Sequence, residues 1–154
     1  RPCRPKPRPV DLESLVAEIA VLVEPDMEAK DLKLECCAQR PKGEIEVDPE
    51  MFRQALFNLI GNAIAFAPER GTVEISLRTG QDGRARVEVA DRGPGVAAEN
   101  VDMLFSPYFT TRTDGTGLGL AIVRRIAAAH GWEAGYTPRP GGGSIFWLDQ
   151  IDGR

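Results

Sequence analysis

Hydrophobic positions recur along this chain with two periods, and their order predicts the layers of the fold. Leu12, Leu15, Val16, Ile19 and Val23 follow Asp11 at helical spacing, with Asp11 as the cap and Pro25 near the point where the helix ends or kinks. Leu32, Leu34 and Cys36 alternate with polar neighbours, as do Ile45 and Val47, which is the two-residue period of half-buried strands. Asp48-Pro49-Glu50 is the clearest helix start: a capping carboxylate, a proline at the first helical position and an acid in the first turn. This helix is predicted over residues 49–66, with Leu56, Leu59, Ile60, Ala63 and Ile64 as its core stripe. Residues 73–77 and 85–90 alternate as two strands around Gly80-Gln81-Asp82-Gly83, a hairpin turn. A Gly- and Pro-containing loop then runs from Asp91 to Gly117, a helix over 118–130 stops at Gly131, and residues 144–151 form a last apolar strand. The order is α+β, a sheet with helices on one face.

Composition narrows this further. At 154 residues and 42% hydrophobic content the chain has the size and core of one domain. No run approaches the roughly 20 apolar residues of a membrane helix, and the Arg- and Pro-rich start is not a signal peptide. Three cysteines, two of them adjacent at Cys36 and Cys37, suit neither a disulfide framework nor a zinc site, so a reducing cytoplasm is the default compartment. Residues 1–9 hold Arg1, Arg4, Lys6, Arg8 and four prolines with no acid, which leaves the rest of the chain strongly acidic. That excludes a basic nucleic-acid footprint and reads residues 1–9 as an extended linker, or as an end without a role, ahead of a domain over 10–154.

Four short motifs carry chemistry. Asn58 and Asn62 lie one turn apart on the predicted helix, in line with Gln54 and Ala65; neutral amide oxygens suit a Mg²⁺ that keeps phosphates and waters, and a solvated polar face is the alternative. Asp91-Arg92-Gly93-Pro94-Gly95 ends a strand; the carboxylate can accept the exocyclic amine proton of adenine beside a glycine without a β-carbon, and an ordinary turn is the alternative. Gly115-Thr116-Gly117-Leu118-Gly119-Leu120 opens a helix and can turn backbone N–H groups toward phosphate, against an unliganded glycine hinge. The third small residue of a dinucleotide fingerprint falls on Leu120, so a Rossmann site is excluded. Between them, residues 104–112 place Phe105, Tyr108 and Phe109 in a hinged loop, with Arg112 able to reach a phosphate.

Taken in this order, Asn58-Leu59-Ile60-Gly61-Asn62-Ala63, the Asp91 loop, the Phe105/Phe109 segment and the Gly115 to Leu120 run resemble the N, G1, F and G2 boxes of sensor histidine kinases, over nearly all of residues 10–150. Residues 107–112 are most similar to the kinases related to nitrogen-regulation sensors. The resemblance implies a Bergerat-fold catalytic and ATP-binding domain: a two-layer α/β sandwich, its mixed and mainly antiparallel sheet covered on one face by about three helices, with a mobile ATP lid. It implies ATP and Mg²⁺ as cofactors, Asn62 as metal ligand and Asn58 as a metal or phosphate contact, both with Arg112 in catalysis. Asp91 with Gly93 and Gly95 would read the base, Phe66 would pack near it, and Thr110, Thr111, Arg112, Gly115, Thr116, Gly117, Leu118, Gly119 and Leu120 would form the lid and phosphate loop. The chain departs from the family at Ala65, where many members have Lys or Arg, at Phe66, where many have Tyr, at Gly131-Trp132 in place of Gly-Gly, and at Leu148-Asp149-Gln150 in place of Leu-Pro.

Related ATPases such as DNA gyrase and the ninety-kilodalton chaperones resemble this chain but carry Glu one turn before the metal-binding Asn. Asn58 stands there, and a neutral amide cannot take a proton from water. The resemblance therefore implies protein-histidine kinase activity, with ATP as phosphoryl donor to a histidine on a separate dimerisation domain in two-component signal transduction, and a response regulator downstream. His130, the single histidine, precedes Gly131 without the acidic or amide neighbour of an acceptor and is expected to be structural. The acceptor domain is expected upstream of Arg1 and this part is expected to be monomeric, with no membrane contact. The alternative is a nucleotide-sensing or partner-docking module without kinase activity.

Overall fold

The computed structural model describes residues 4–39, 43–110 and 117–152. In chain order the elements are β1 (Arg8–Val10), α1 (Leu12–Leu22), α2 (Glu24–Ala29), β2 (Lys33–Gln39), β3 (Ile45–Val47), α3 (Pro49–Phe66), β4 (Thr72–Thr79), β5 (Ala85–Asp91), a 3₁₀ turn over Ala98–Met103, α4 (Gly119–His130), β6 (Glu133–Pro138) and β7 (Ser144–Ile151). Five strands form one sheet in the order β2-β4-β5-β7-β6. The β2–β4 pair is parallel and the others are antiparallel. β1 and β3 make a separate two-stranded ribbon, pairing Arg8 with Val47 and Val10 with Ile45. The last two residues of the predicted linker, Arg8 and Pro9, thus join a strand, which proline permits because this ribbon leaves its N–H side open.

The core lies between the sheet and the helices. Val73, Ile75 and Leu77 of β4, Val87 and Val89 of β5, and Phe146 and Leu148 of β7 alternate inward onto Phe52, Leu56, Leu59, Ile60 and Ala63 of α3. α3 lies between α1 and α4 on this face, the sheet with helices on one face that the periodicity implies and the two-layer sandwich of the resemblance. Toward the end of β7 the register shifts, Gln150 takes φ of +62°, and Ile151 becomes the next inward residue. This bulge occupies the place where the sequence departs from the family's Leu-Pro ending.

Helix ends follow the capping rules. Asp11 and Asp48 accept first-turn N–H groups of α1 and α3. α1 stops at Leu22, and Pro25 sits in the first turn of α2. Gly131 closes α4 in the left-handed conformation at φ of +78°. Trp132 after it is buried, 6.5 Å edge-on to Phe52 and stacked 3.9 Å from His130, so the indole fills core where a second glycine would leave a hollow. His130 is held structurally: the Asp48 N–H donates to its Nε2 at 3.3 Å and its Nδ1 lies 2.9 Å from the Ile126 carbonyl, a pairing that assigns the proton to Nδ1.

The Lys30 ammonium donates to the Ile64 and Ala67 carbonyls at 2.8 and 2.6 Å, satisfying the open C-terminal end of α3. Lys30→Met keeps the stem and removes this cap. It is expected to lower stability by about 1–2 kcal/mol, read as a lower urea midpoint with unchanged slope.

Candidate functional site

A cleft of about 460 Å³ opens between α3, α4 and the loop after β5. Asn58, Gly61, Asn62 and Phe66 line it from α3, Gly117, Leu118, Gly119 and Leu120 from the start of α4, and Phe109 and Thr110 from the loop. Three of the four motifs therefore meet in one hollow. A β-carbon on Gly119 would stand 3.7 Å from Asn58 Oδ1, which puts the first residue of α4 directly on the amide face.

Among the described residues no side chain caps α4, and its first turn contains no acid, unlike α1 and α3 with their aspartate caps. Among the described residues no acid or side-chain acceptor offsets the positive end of its dipole, which is the arrangement that attracts an anion. The loop is closed at its base by Gly117: the Tyr108 N–H donates to the Gly117 carbonyl at 2.8 Å. A β-carbon there would fall 2.4 Å from the Tyr108 carbonyl carbon, and Gly117 has φ of +75°. Only glycine satisfies both conditions.

Asp91 does not line the cleft but lies behind its wall. Its carboxylate is fully buried; Oδ1 accepts the Gly93 N–H at 2.9 Å and Oδ2 has no partner. Burial pushes its pKa above the ordinary carboxylate value, against the pull of the Gly93 and Ser144 N–H groups and the Arg139 charge. A β-carbon on Gly93 would stand 2.3 Å from the Phe66 carbonyl oxygen, so this turn rests on the end of α3 next to the lining. Gly93 and Gly95 likewise stay outside the lining. Thr111, Arg112, Gly115 and Thr116 lie outside the described residues.

Buried polar atoms without partners are costly and rare, and two of them sit in motif residues: Asp91 Oδ2 and the Asn62 Nδ2. The Asn62 amide lies in the cleft one turn from Asn58, and two neutral amides fit a Mg²⁺ whose other ligands are phosphates and waters. Among the described residues no group of three His, Cys, Asp or Glu side chains makes a self-sufficient metal site, and no helix is long and apolar enough to cross a membrane. Sequence patterns missed Phe57, Val96, Ile122 and Phe146 as lining residues. Each reads as ordinary core or loop apolar content, and only the three-dimensional pairing shows which ones border the hollow.

A family model described as "Histidine kinase-, DNA gyrase B-, and HSP90-like ATPase" matches residues 47–153. The sensor histidine kinase ZraS of Klebsiella oxytoca is 38% identical over 146 residues, covering 95% of this chain and 32% of that protein. Among solved structures, full-length ShkA in complex with AMPPNP matches with a TM-score of 0.87 at 36% identity, over 98% of this chain and 32% of that one. The catalytic domain of histidine kinase ThkA matches with a TM-score of 0.88 at 30% identity, over 96% of each chain. The chain spans about a third of the length of the curated relatives it matches.

Proposed function

The chain belongs to the family of histidine kinase-, DNA gyrase B- and HSP90-like ATPases, and on that premise we propose that it is the ATP-binding catalytic domain of a sensor histidine kinase, transferring the γ-phosphoryl group to a histidine on a separate dimerisation domain. The observation that carries this reading is the convergence of Asn58, Asn62 and the start of α4, which no described side chain caps, on one cleft, with the free Oδ2 of the Asp91 carboxylate behind its wall. The first three make a polar, anion-attracting end; Asp91 and Phe66 make a buried end that offers one hydrogen-bond acceptor beside an aromatic ring.

Asp91 Oδ2 accepts the exocyclic amine of adenine while Oδ1 keeps its bond to the Gly93 N–H, and Phe66 packs near the ring. The N–H groups of Gly119 and Leu120 hold phosphate oxygens, with Thr110, Thr111, Arg112, Gly115, Thr116, Gly117 and Leu118 completing the lid and loop. Asn62, helped by Asn58, holds Mg²⁺, which when bound neutralises phosphate charge. Catalysis rests on positioning and charge neutralisation. Because Asn58 cannot act as a base toward water, the imidazole supplied by the partner domain is the favoured nucleophile. A response regulator takes the phosphoryl group onward in the cytoplasm.

Calorimetry on the chain is expected to show ATP binding that needs Mg²⁺ and releases little phosphate over time. Labelled ATP, offered with a histidine-bearing helical domain in trans, is expected to label that domain and not this chain. Ala65 is exposed and uncharged where a cation would face a phosphate. Should the chain bind ATP yet leave every supplied domain unlabelled, the nucleotide-sensing module becomes the better reading; rapid phosphate release would favour a hydrolase.

A further inference from the structure

Gly61 stands in the interior of α3, one of the worst places in a helix for glycine. Nothing among the described residues accounts for it. Its φ is not positive, so the backbone does not demand glycine, and a β-carbon there would meet no atom of the described residues within 4 Å. Alanine would fit the protein and strengthen the helix. What Gly61 does border is the cleft, on the exposed side of α3 between Asn58 and Phe66.

We propose that Gly61 is a specificity-determining position: the bare backbone over which the ribose and α-phosphate of the nucleotide cross α3, its missing side chain setting the width of the cleft at that point. The inference rests on the reading above, and it follows from the two ends of the site. Asn58 touches the start of α4, where anionic oxygens are held, and Phe66 touches the Asp91 turn, where the base is held. Those positions are about 12 Å apart along the helix, and Gly61 lies between them. The part of the ligand passing there is common to ADP and ATP, whereas the terminal phosphate lies on the Asn58 side. A side chain at 61 would therefore hinder both nucleotides alike.

The test is calorimetric titration of the chain and its Gly61→Ala and Gly61→Val variants with ATP and ADP in Mg²⁺, together with melting of the nucleotide-free proteins. Gly61→Ala is expected to melt about 2–4 °C higher and to bind both nucleotides more weakly by the same factor, about 5- to 30-fold, with Gly61→Val weaker again. Unchanged affinity would overturn the proposal. A loss confined to ATP would also overturn it, since the contact would then be at the terminal phosphate. A lower melting point for Gly61→Ala would refute the open space on which it stands. If the parent chain binds neither nucleotide, the kinase reading itself falls and takes this assignment with it, an outcome distinct from the other three.

Discussion

Asp91→Ala is expected to weaken ATP binding about 10- to 150-fold, the factor for a hydrogen bond of about 1.5–3 kcal/mol to a charged group. The substitution removes a buried carboxylate oxygen that the described residues leave without a partner. Its effect should appear equally with ADP, because the contact is to the base, and calorimetry with both nucleotides checks it. An affinity equal to the parent's would remove Asp91 from the site. The same carboxyl predicts a pH dependence. Burial raises its pKa in the free protein, and a donated amine proton favours the charged form, so binding lowers the pKa and releases protons. Affinity should therefore rise with pH from about 4, the ordinary carboxylate value, upward through the raised value. Without ligand the sign for stability is the reverse of the usual aspartate case. The folded state binds the proton more tightly than the unfolded state, so the Asp91 contribution is lost as pH rises through that window.

Asp48→Ala is expected to cost about 2–3 kcal/mol of stability. Asp48 caps α3 through the Met51 N–H at 3.1 Å and holds the approach to β1 through the Lys6 N–H at 2.8 Å. A lost N-cap costs about 1 kcal/mol and the second buried bond contributes a similar amount. Burial alone would raise the Asp48 pKa, but the Lys6, Met51 and Glu50 N–H groups outweigh it, and the net value is lowered. The stabilisation is present above the unfolded value of about 3.9 and is lost as pH falls through the lower folded value. Urea titrations of parent and variant at pH 7 and near pH 3 should show the gap narrowing in acid. A gap that widens in acid would contradict the pairing.

α3 could be read residue by residue because Asp48-Pro49 fixes its start and a regular apolar stripe fixes its buried side. The strands β4, β5 and β7 were legible because one face is buried and the other wet, so their alternation survives in the sequence. β6 left no such trace. Its stretch of Glu133, Ala134, Gly135 and Tyr136 holds a glycine where strands prefer bulk. The register pairs Gly135 with Trp147, and a β-carbon on Gly135 would fall 2.1 Å from the indole, so the side chain that covers Gly135 belongs to a different strand. β2 showed the alternation of a half-buried strand, yet as an edge strand it keeps only Leu34 partly covered and leaves Cys36 and Cys37 exposed. β1 was hidden by its proline and its brevity, since its three residues hold their place only by pairing with β3.

The site was legible to the extent that its chemistry is local. Amide pairs, glycine runs and a strand-end carboxylate keep their meaning as short strings. The aromatic and aliphatic walls carry no local mark: the exposed Phe57 and the buried Phe146 both border the cleft because of how α3 and β7 are packed, and nothing in the residues next to either one says so. The Lys30 cap was equally invisible, since its partners are carbonyls more than thirty residues away.

α3 and α4 run antiparallel, touching at Asn58 and Gly119 on the cleft side and joined at the other end by the Asp48 bond to His130. The two contacts are about 15 Å apart. One end of the pair is tied by a hydrogen bond to an imidazole and the other borders the cleft. A ligand that enters between Asn58 and Gly119 therefore meets α4 at the end farthest from His130, and the imidazole that ties the two helices stands clear of the cleft.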